Sequence, residues 1–125
     1  MKIIVLGSGL VGGPMALDLA KDNEFEVTVA DLNSSRLDEI SFGNNIRTVI
    51  EDLSNPQTVK TLIGDFDMVL NAVPGFMGFN TLKAIIESGK NVVDIAFFPE
   101  DMFALDSLAR KNNVIAISDI GVARV

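Results

Sequence analysis

A chain of 125 residues, 48% of them hydrophobic, is the size of one domain and can bury one continuous core. Its 17 acidic and 10 basic residues leave a net charge of −7, which argues against nucleic acid or an anionic membrane as a partner, though not against an anionic cofactor held at a helix N-terminus. Without His, Cys, Tyr or Trp there is no imidazole acid–base catalyst, thiolate nucleophile, His/Cys zinc site, disulfide or catalytic tyrosine, so chemistry falls to Asp, Glu, Lys, Ser, the backbone or a cofactor.

The first element is an apolar run at 3–6, read as a buried strand. It is too short for the core of a secretory signal, and no stretch approaches the roughly 18 apolar residues of a membrane span. The absence of cysteine fits the cytoplasm. A helix follows over 11–21, with Val11, Met15 and Leu19 at helical spacing between Ala16 and Ala20. The strand EVTVA covers 26–30, and Ser34 or Ser35 caps a short helix running to residue 40. NIRTVI at 45–50 makes a third strand, and Pro56 opens a helix over 56–63.

The fourth strand, DMVLNAV at 67–73, ends at Pro74-Gly75. The helix after it covers 79–88, with Phe79, Leu82, Ile85 and Ile86 on one face and Gly89 past its end. NVVDI at 91–95 is a fifth strand. Pro99, Glu100 and Asp101 open another helix, with Met102, Leu105, Leu108 and Ala109 as its stripe. VIAIS at 114–118 is the sixth strand. Six apolar strands alternating with helices call for a parallel sheet covered on both faces: the doubly wound α/β (Rossmann) fold, strand order 3-2-1-4-5-6, as a single domain over 1–125.

The first turn gives that fold a use. Gly7, Gly9 and Gly12 form GxGxxG between a strand and a helix, the context in which that spacing carries meaning. Gly7 permits the tight turn, Gly9 lets backbone approach a pyrophosphate, and Gly12 lets the helix pack closely, with the small Ala16 on the same contact. Ser8, Leu10 and Val11 complete the turn, and the helix N-terminus offers free amides and partial positive charge. Pro14 falls in the first helical turn, where a missing N–H costs little.

Asp31 follows the second strand, 24 residues after Gly7, where a carboxylate accepts both hydroxyls of the adenosine ribose and repels a 2′-phosphate. Asp31 and the adjacent Leu32 therefore favour NAD over NADP, although Arg36 stands close by. Asp52, past the third strand, either touches the adenine edge or caps a turn. Ala72, Val73, Pro74 and Gly75 leave the fourth strand where strand order reverses and make room for the nicotinamide ribose. No metal site is expected.

At GSGLVGGPMALDLA, NAVPGFMGFNTLKAIIESGKNVVDIAFFPE and SDIGVA the chain resembles the saccharopine dehydrogenase family. The central block is most similar to its lysine 6-dehydrogenase branch, and the surroundings of Pro14 to its saccharopine reductases. The resemblance implies an N-terminal NAD(P)-binding domain. In the family a second domain supplies most of the substrate site, and hydride passes between a CH–NH group of a lysine-derived amino acid and nicotinamide. It assigns the pyrophosphate to residues 7–12, the ribose to Asp31 and the nicotinamide side to residues 72–75. The family's sequence runs on from Gly-Val-Ala into the catalytic domain, whereas here Arg124 and Val125 follow. The expectation is a cofactor-binding half without its substrate domain and without catalytic residues of its own; Asp94, Glu100 and Asp119 are read as structural acids.

Phe76, Met77, Phe79, Phe97, Phe98, Met102 and Phe103 crowd the C-terminal half. Part of this group serves the core, and part is expected to form an apolar patch meant for the second domain or a partner subunit, through which this chain pairs into a homodimer. The alternative function is a stand-alone NAD-sensing regulatory module of the potassium-transporter type, which shares the glycine turn, the acid and the size.

Overall fold

The computed structural model describes residues 1–95 and 105–118. Its sheet is six-stranded and parallel throughout, in the order β3-β2-β1-β4-β5-β6 that the sequence predicts. The strands are β1 (Lys2–Leu6), β2 (Glu26–Asp31), β3 (Ile46–Ile50), β4 (Met68–Asn71), β5 (Asn91–Asp94) and β6 (Ala116–Ser118). Between them lie α1 (Gly12–Leu19), α2 (Ser34–Ser41), α3 (Pro56–Leu62), α4 (Gly75–Glu87) and α5 (Asp106–Lys111).

Side chains alternate across a strand, so β1 feeds two cores. Ile4 and Leu6 join Val69, Val92, Val59, Ile63, Leu82, Ile85 and Ile86 in a layer beneath α3 and α4. Val5 turns the other way, with Val27, Val29 and Leu70, against Ala16 of α1 and Leu37 of α2. Residues 3–6 are all buried, the signature of a central parallel strand covered on both faces.

The largest departure from the sequence reading is α4, which begins at Gly75 rather than at 79. Two glycines argue for loop there on propensity, each costing about 1 kcal/mol against Ala in a helix. Tertiary contact overrides that: Gly78 is buried and its carbonyl faces the Asn71 amide at 3.4 Å. The cap of α2 is Asn33, not Ser34 or Ser35; its side chain accepts the Arg36 N–H at 3.0 Å. α1 is shorter at both ends than expected, and β4 stops at Asn71, two residues early, where the neighbouring strands also end. α3 ends at Leu62 and passes into a 3-10 turn, Ile63–Asp65, and β6 starts at Ala116. The expected helix opening at 99–101 lies outside the described residues, as does Met102, while Leu105, Leu108 and Ala109 do pack on the core.

Gly12 is where α1 meets the sheet. A Cβ there would come within 2.3 Å of the Gly7 carbonyl oxygen and 2.9 Å of the Ala72 Cβ. In an open helix Gly→Ala gains about 1 kcal/mol, but here overpacking dominates, and Gly12→Ala is expected to cost about 1–3 kcal/mol. Urea unfolding checks this as a lowered midpoint at unchanged slope. An unchanged or higher midpoint contradicts the packing.

Candidate functional site

The crevice opens at the C-terminal ends of the paired strands β1 and β4, the point at which strand order reverses. Gly7 leaves β1 with φ +101°, a conformation few side chains tolerate, and a Cβ on it would meet the Ala72 carbonyl oxygen at 2.5 Å. Its N–H donates to the Ala30 carbonyl at 2.8 Å, while the Ala72 N–H donates to Leu6 at 2.8 Å, so both neighbouring strands anchor the turn.

Ser8 is buried and its N–H and hydroxyl both donate to Asp31 Oδ2 at 2.7 Å. Its carbonyl accepts from Arg36 Nε at 2.9 Å. At Gly9 a Cβ would meet nothing within 4 Å. Among the described residues the amides of Gly9, Leu10, Val11 and Gly12 take no acceptor from the protein. Leu10 and Val11 are exposed, and Pro14 is the third residue of α1, within its first turn. Free amides, an open glycine and a helix N-terminus together suit a diphosphate.

Asp31 closes β2. Its Oδ1 accepts the Asn33 N–H at 2.9 Å. Partial burial pushes its carboxyl up, but the Asn33 N–H, the Ser8 hydroxyl and N–H and the Leu32 N–H outweigh that and hold it below its ordinary 3.8. Leu32 is exposed beside it. Asp52 lies on the far rim, where its Oδ1 accepts the Ser54 hydroxyl at 2.6 Å and the Ser54 N–H at 3.0 Å. Those bonds lower its pKa and shape the turn that carries it on the wall of the cleft.

Two adjoining clefts share Gly7, Asp31, Val73 and Pro74. One, of about 370 Å³, runs along the glycine turn past Ala72 and Gly75 to Ile95. The other, of about 360 Å³, passes Leu32, Glu51, Asp52, Leu53 and Ser54 to Phe76 and Met77. All thirteen residues singled out from the sequence lie at or beside this crevice except Gly12, which packs beneath it. Asp94 is buried next to Asn71, whose amide faces it at 3.3 Å, and Glu100 and Asp119 lie outside the described residues.

Sequence reasoning missed the Ser8–Asp31 and Ser8–Arg36 contacts, the place of Glu51 and Phe76 on the rim, and the approach of the Arg36 guanidinium to Gly13. Only Arg36 carries a signal: a cation in the first turn of a helix sits at the wrong end of the dipole. Among the described residues no Asp or Glu cluster is built to hold a metal ion, and no helix is long and apolar enough to cross a membrane.

A doubly wound parallel sheet with a glycine turn at its switch point defines a dinucleotide-binding α/β domain. The chain belongs to the saccharopine dehydrogenase NADP-binding domain family, whose profile matches residues 3–117. Mouse mitochondrial alpha-aminoadipic semialdehyde synthase is 27% identical over 122 residues, covering 97% of this chain but 13% of that protein. Saccharopine dehydrogenase (NADP(+), L-glutamate-forming) of Saccharomyces cerevisiae is 22% identical over 121 residues, covering 97% of this chain and 27% of that one. The chain thus spans a minor part of both relatives. A partial similarity, 41% over 71 residues, links 56% of the chain to 15% of the Trk potassium uptake protein TrkA of Halomonas elongata.

Among solved structures, apo saccharopine dehydrogenase (L-Glu forming) from S. cerevisiae superposes with a TM-score of 0.84 at 21% identity, over 95% of this chain and 27% of that one. The fold is shared with Synechocystis biliverdin reductase in complex with biliverdin and NADP+ (TM-score 0.73, 18% identity, 94% of this chain and 37% of that one). It is shared also with Lactobacillus casei scyllo-inositol dehydrogenase with bound NAD(H) and scyllo-inositol (TM-score 0.74, 19% identity, 95% and 36%).

A carboxyl whose folded pKa is depressed stabilises the fold above its unfolded pKa, and that stability is lost as pH falls through the folded value. Asp31 is therefore expected to titrate below 3.8 by carboxyl-carbon NMR, and Ser8→Ala to move the midpoint upward. The variant should also show less acid-dependent loss of stability between pH 4 and the folded midpoint. A wild-type midpoint above 3.8 contradicts the Ser8–Asp31 geometry.

Proposed function

We propose that this chain is the cofactor half of a saccharopine dehydrogenase-like amino-acid oxidoreductase and that it takes NAD in preference to NADP. The observation that carries the cofactor choice is Asp31: an acid held ionised at the end of β2, lining both clefts. Ionised, it attracts ribose hydroxyls and repels a 2′-phosphate. In this reading Gly7, Ser8, Gly9, Leu10, Val11 and Gly12 hold the pyrophosphate, and Asp31 with Leu32 holds the adenosine ribose. Asp52 stands at the adenine edge, and Ala72, Val73, Pro74 and Gly75 flank the nicotinamide ribose.

The bound coenzyme supplies a hydride acceptor or donor for a CH–NH group of a lysine-derived substrate. The cytoplasm is part of the proposal on composition alone; the mouse relative is mitochondrial by name. A stand-alone NAD-sensing module is the second reading, favoured by the TrkA similarity. A potassium-transporter gene beside this one would support it, and an in-frame substrate domain would count against it.

Titration with NADH and NADPH tests the primary reading. NADH should bind more tightly, and Asp31→Ser should shift the NADH:NADPH ratio toward NADPH by about tenfold or more, the scale of a charged hydrogen-bonding partner lost. NADPH binding tenfold tighter than NADH in the wild type overturns the choice of NAD; no saturable uptake of either overturns the whole assignment.

We also propose a homodimer. It is supported by Phe76, which is 83% exposed at the start of α4, while Met77 and Phe79 pack partly on the core. The other aromatics of this group, Phe97, Phe98 and Phe103, lie outside the described residues. Light scattering at high concentration should give twice the chain mass, falling toward a monomer in Phe76→Ser; a monomeric wild type contradicts it.

A further inference from the structure

Arg36 is the third residue of α2, at the helix end where a cation is electrostatically misplaced, and no acid in that turn compensates it. Its side chain folds back on the glycine turn. Nε donates to the Ser8 carbonyl at 2.9 Å, and Nη1 meets Glu39 Oε2 at 3.0 Å. Nη2 lies against Gly13, where a Cβ would approach it to 2.8 Å. The second glycine of the Gly12-Gly13 pair, which GxGxxG does not require, is thus space for the guanidinium.

Ser8 is gripped at three atoms: its N–H and hydroxyl by Asp31, its carbonyl by Arg36. The Ser8–Gly9 peptide is planar and trans, so fixing the Ser8 carbonyl fixes the Gly9 N–H on the opposite side of the same plane. That N–H takes no acceptor among the described residues and sits where a side chain would project into open space.

We propose that Arg36 is a positioning residue for the pyrophosphate turn: it holds the Ser8–Gly9 peptide so that the Gly9 amide is presented to a diphosphate, and it is not a ligand for a 2′-phosphate. This rests on the dinucleotide reading above. Its contribution is therefore common to both coenzymes, whereas Asp31 discriminates between them. A direct role for Arg36 would strengthen NADPH alone.

Gln separates the two roles. Its Nε2 stands as many bonds from Cα as Nε of Arg, so Arg36→Gln keeps an N–H donor for Ser8 and removes the charge. Dissociation constants for NADH and NADPH would be measured by calorimetry on wild type, Arg36→Ala and Arg36→Gln, each checked for folding by thermal melt. Arg36→Ala should weaken both coenzymes about tenfold with their ratio held within about threefold, and Arg36→Gln should restore both to within about threefold of wild type. In the protein without coenzyme, the Gly9 amide resonance should move in Arg36→Ala and return in Arg36→Gln.

Loss confined to NADPH would make Arg36 a phosphate ligand and overturn the inference. So would an Arg36→Gln variant as weak as Arg36→Ala, or an Arg36→Ala variant that binds both coenzymes normally. A wild type that binds neither coenzyme removes the dinucleotide reading itself, and this inference with it, a pattern no variant can imitate.

Discussion

Everything at the crevice depends on how closely three pieces of backbone approach. The turn after β1, the first residue of α1 and the exit of β4 meet at Gly7, Gly12 and Ala72, with no space for a Cβ at either glycine. That contact brings the N-terminus of α1 to the sheet edge and leaves the amides of residues 9–12 at the mouth of the crevice. A methyl group on Gly12 would push the helix away from the exit of β4, and the N-terminal end of α1, with its free amides, would move with it.

A second layer of control surrounds Ser8. Asp31 does two things at once: it ties the turn to β2, and it places a full negative charge on the wall of the cleft. The bonds that stabilise the ionised carboxylate are the bonds that orient Ser8, so charge and geometry are coupled through one buried residue. Arg36 completes the clamp from α2, which brings a third element to bear on the same peptide. In this arrangement the turn before α1, β2 and α2 are mechanically linked at the site.

The fold was legible because its signals are local and redundant. Short β-branched runs in 3–6, 26–30 and 91–95 alternate with helical periodicity, and only a parallel sheet covered on both sides buries them all. The glycine spacing and the following acid then mark one turn among several. Helix ends were less legible. At α4 the glycines at 75 and 78 read as loop by propensity, but burial of Gly78 beside Asn71 outweighs that preference. At α2 two serines looked like caps, and the choice went to Asn33 because its carboxamide reaches the Arg36 amide.

The sequence by itself determined the alternation of strands and helices, the site of the glycine turn and the acid after the second strand, since each follows from residue type at fixed spacing along the chain. Tertiary structure alone decided what those residues hold: Asp31 on Ser8, Arg36 on the Ser8 carbonyl, and Gly13 as room for a guanidinium. These contacts join residues 23 to 28 positions apart on different elements. Spacing along the chain carries no record of such distances; only the packing of α1 and α2 against the same edge of the sheet creates them.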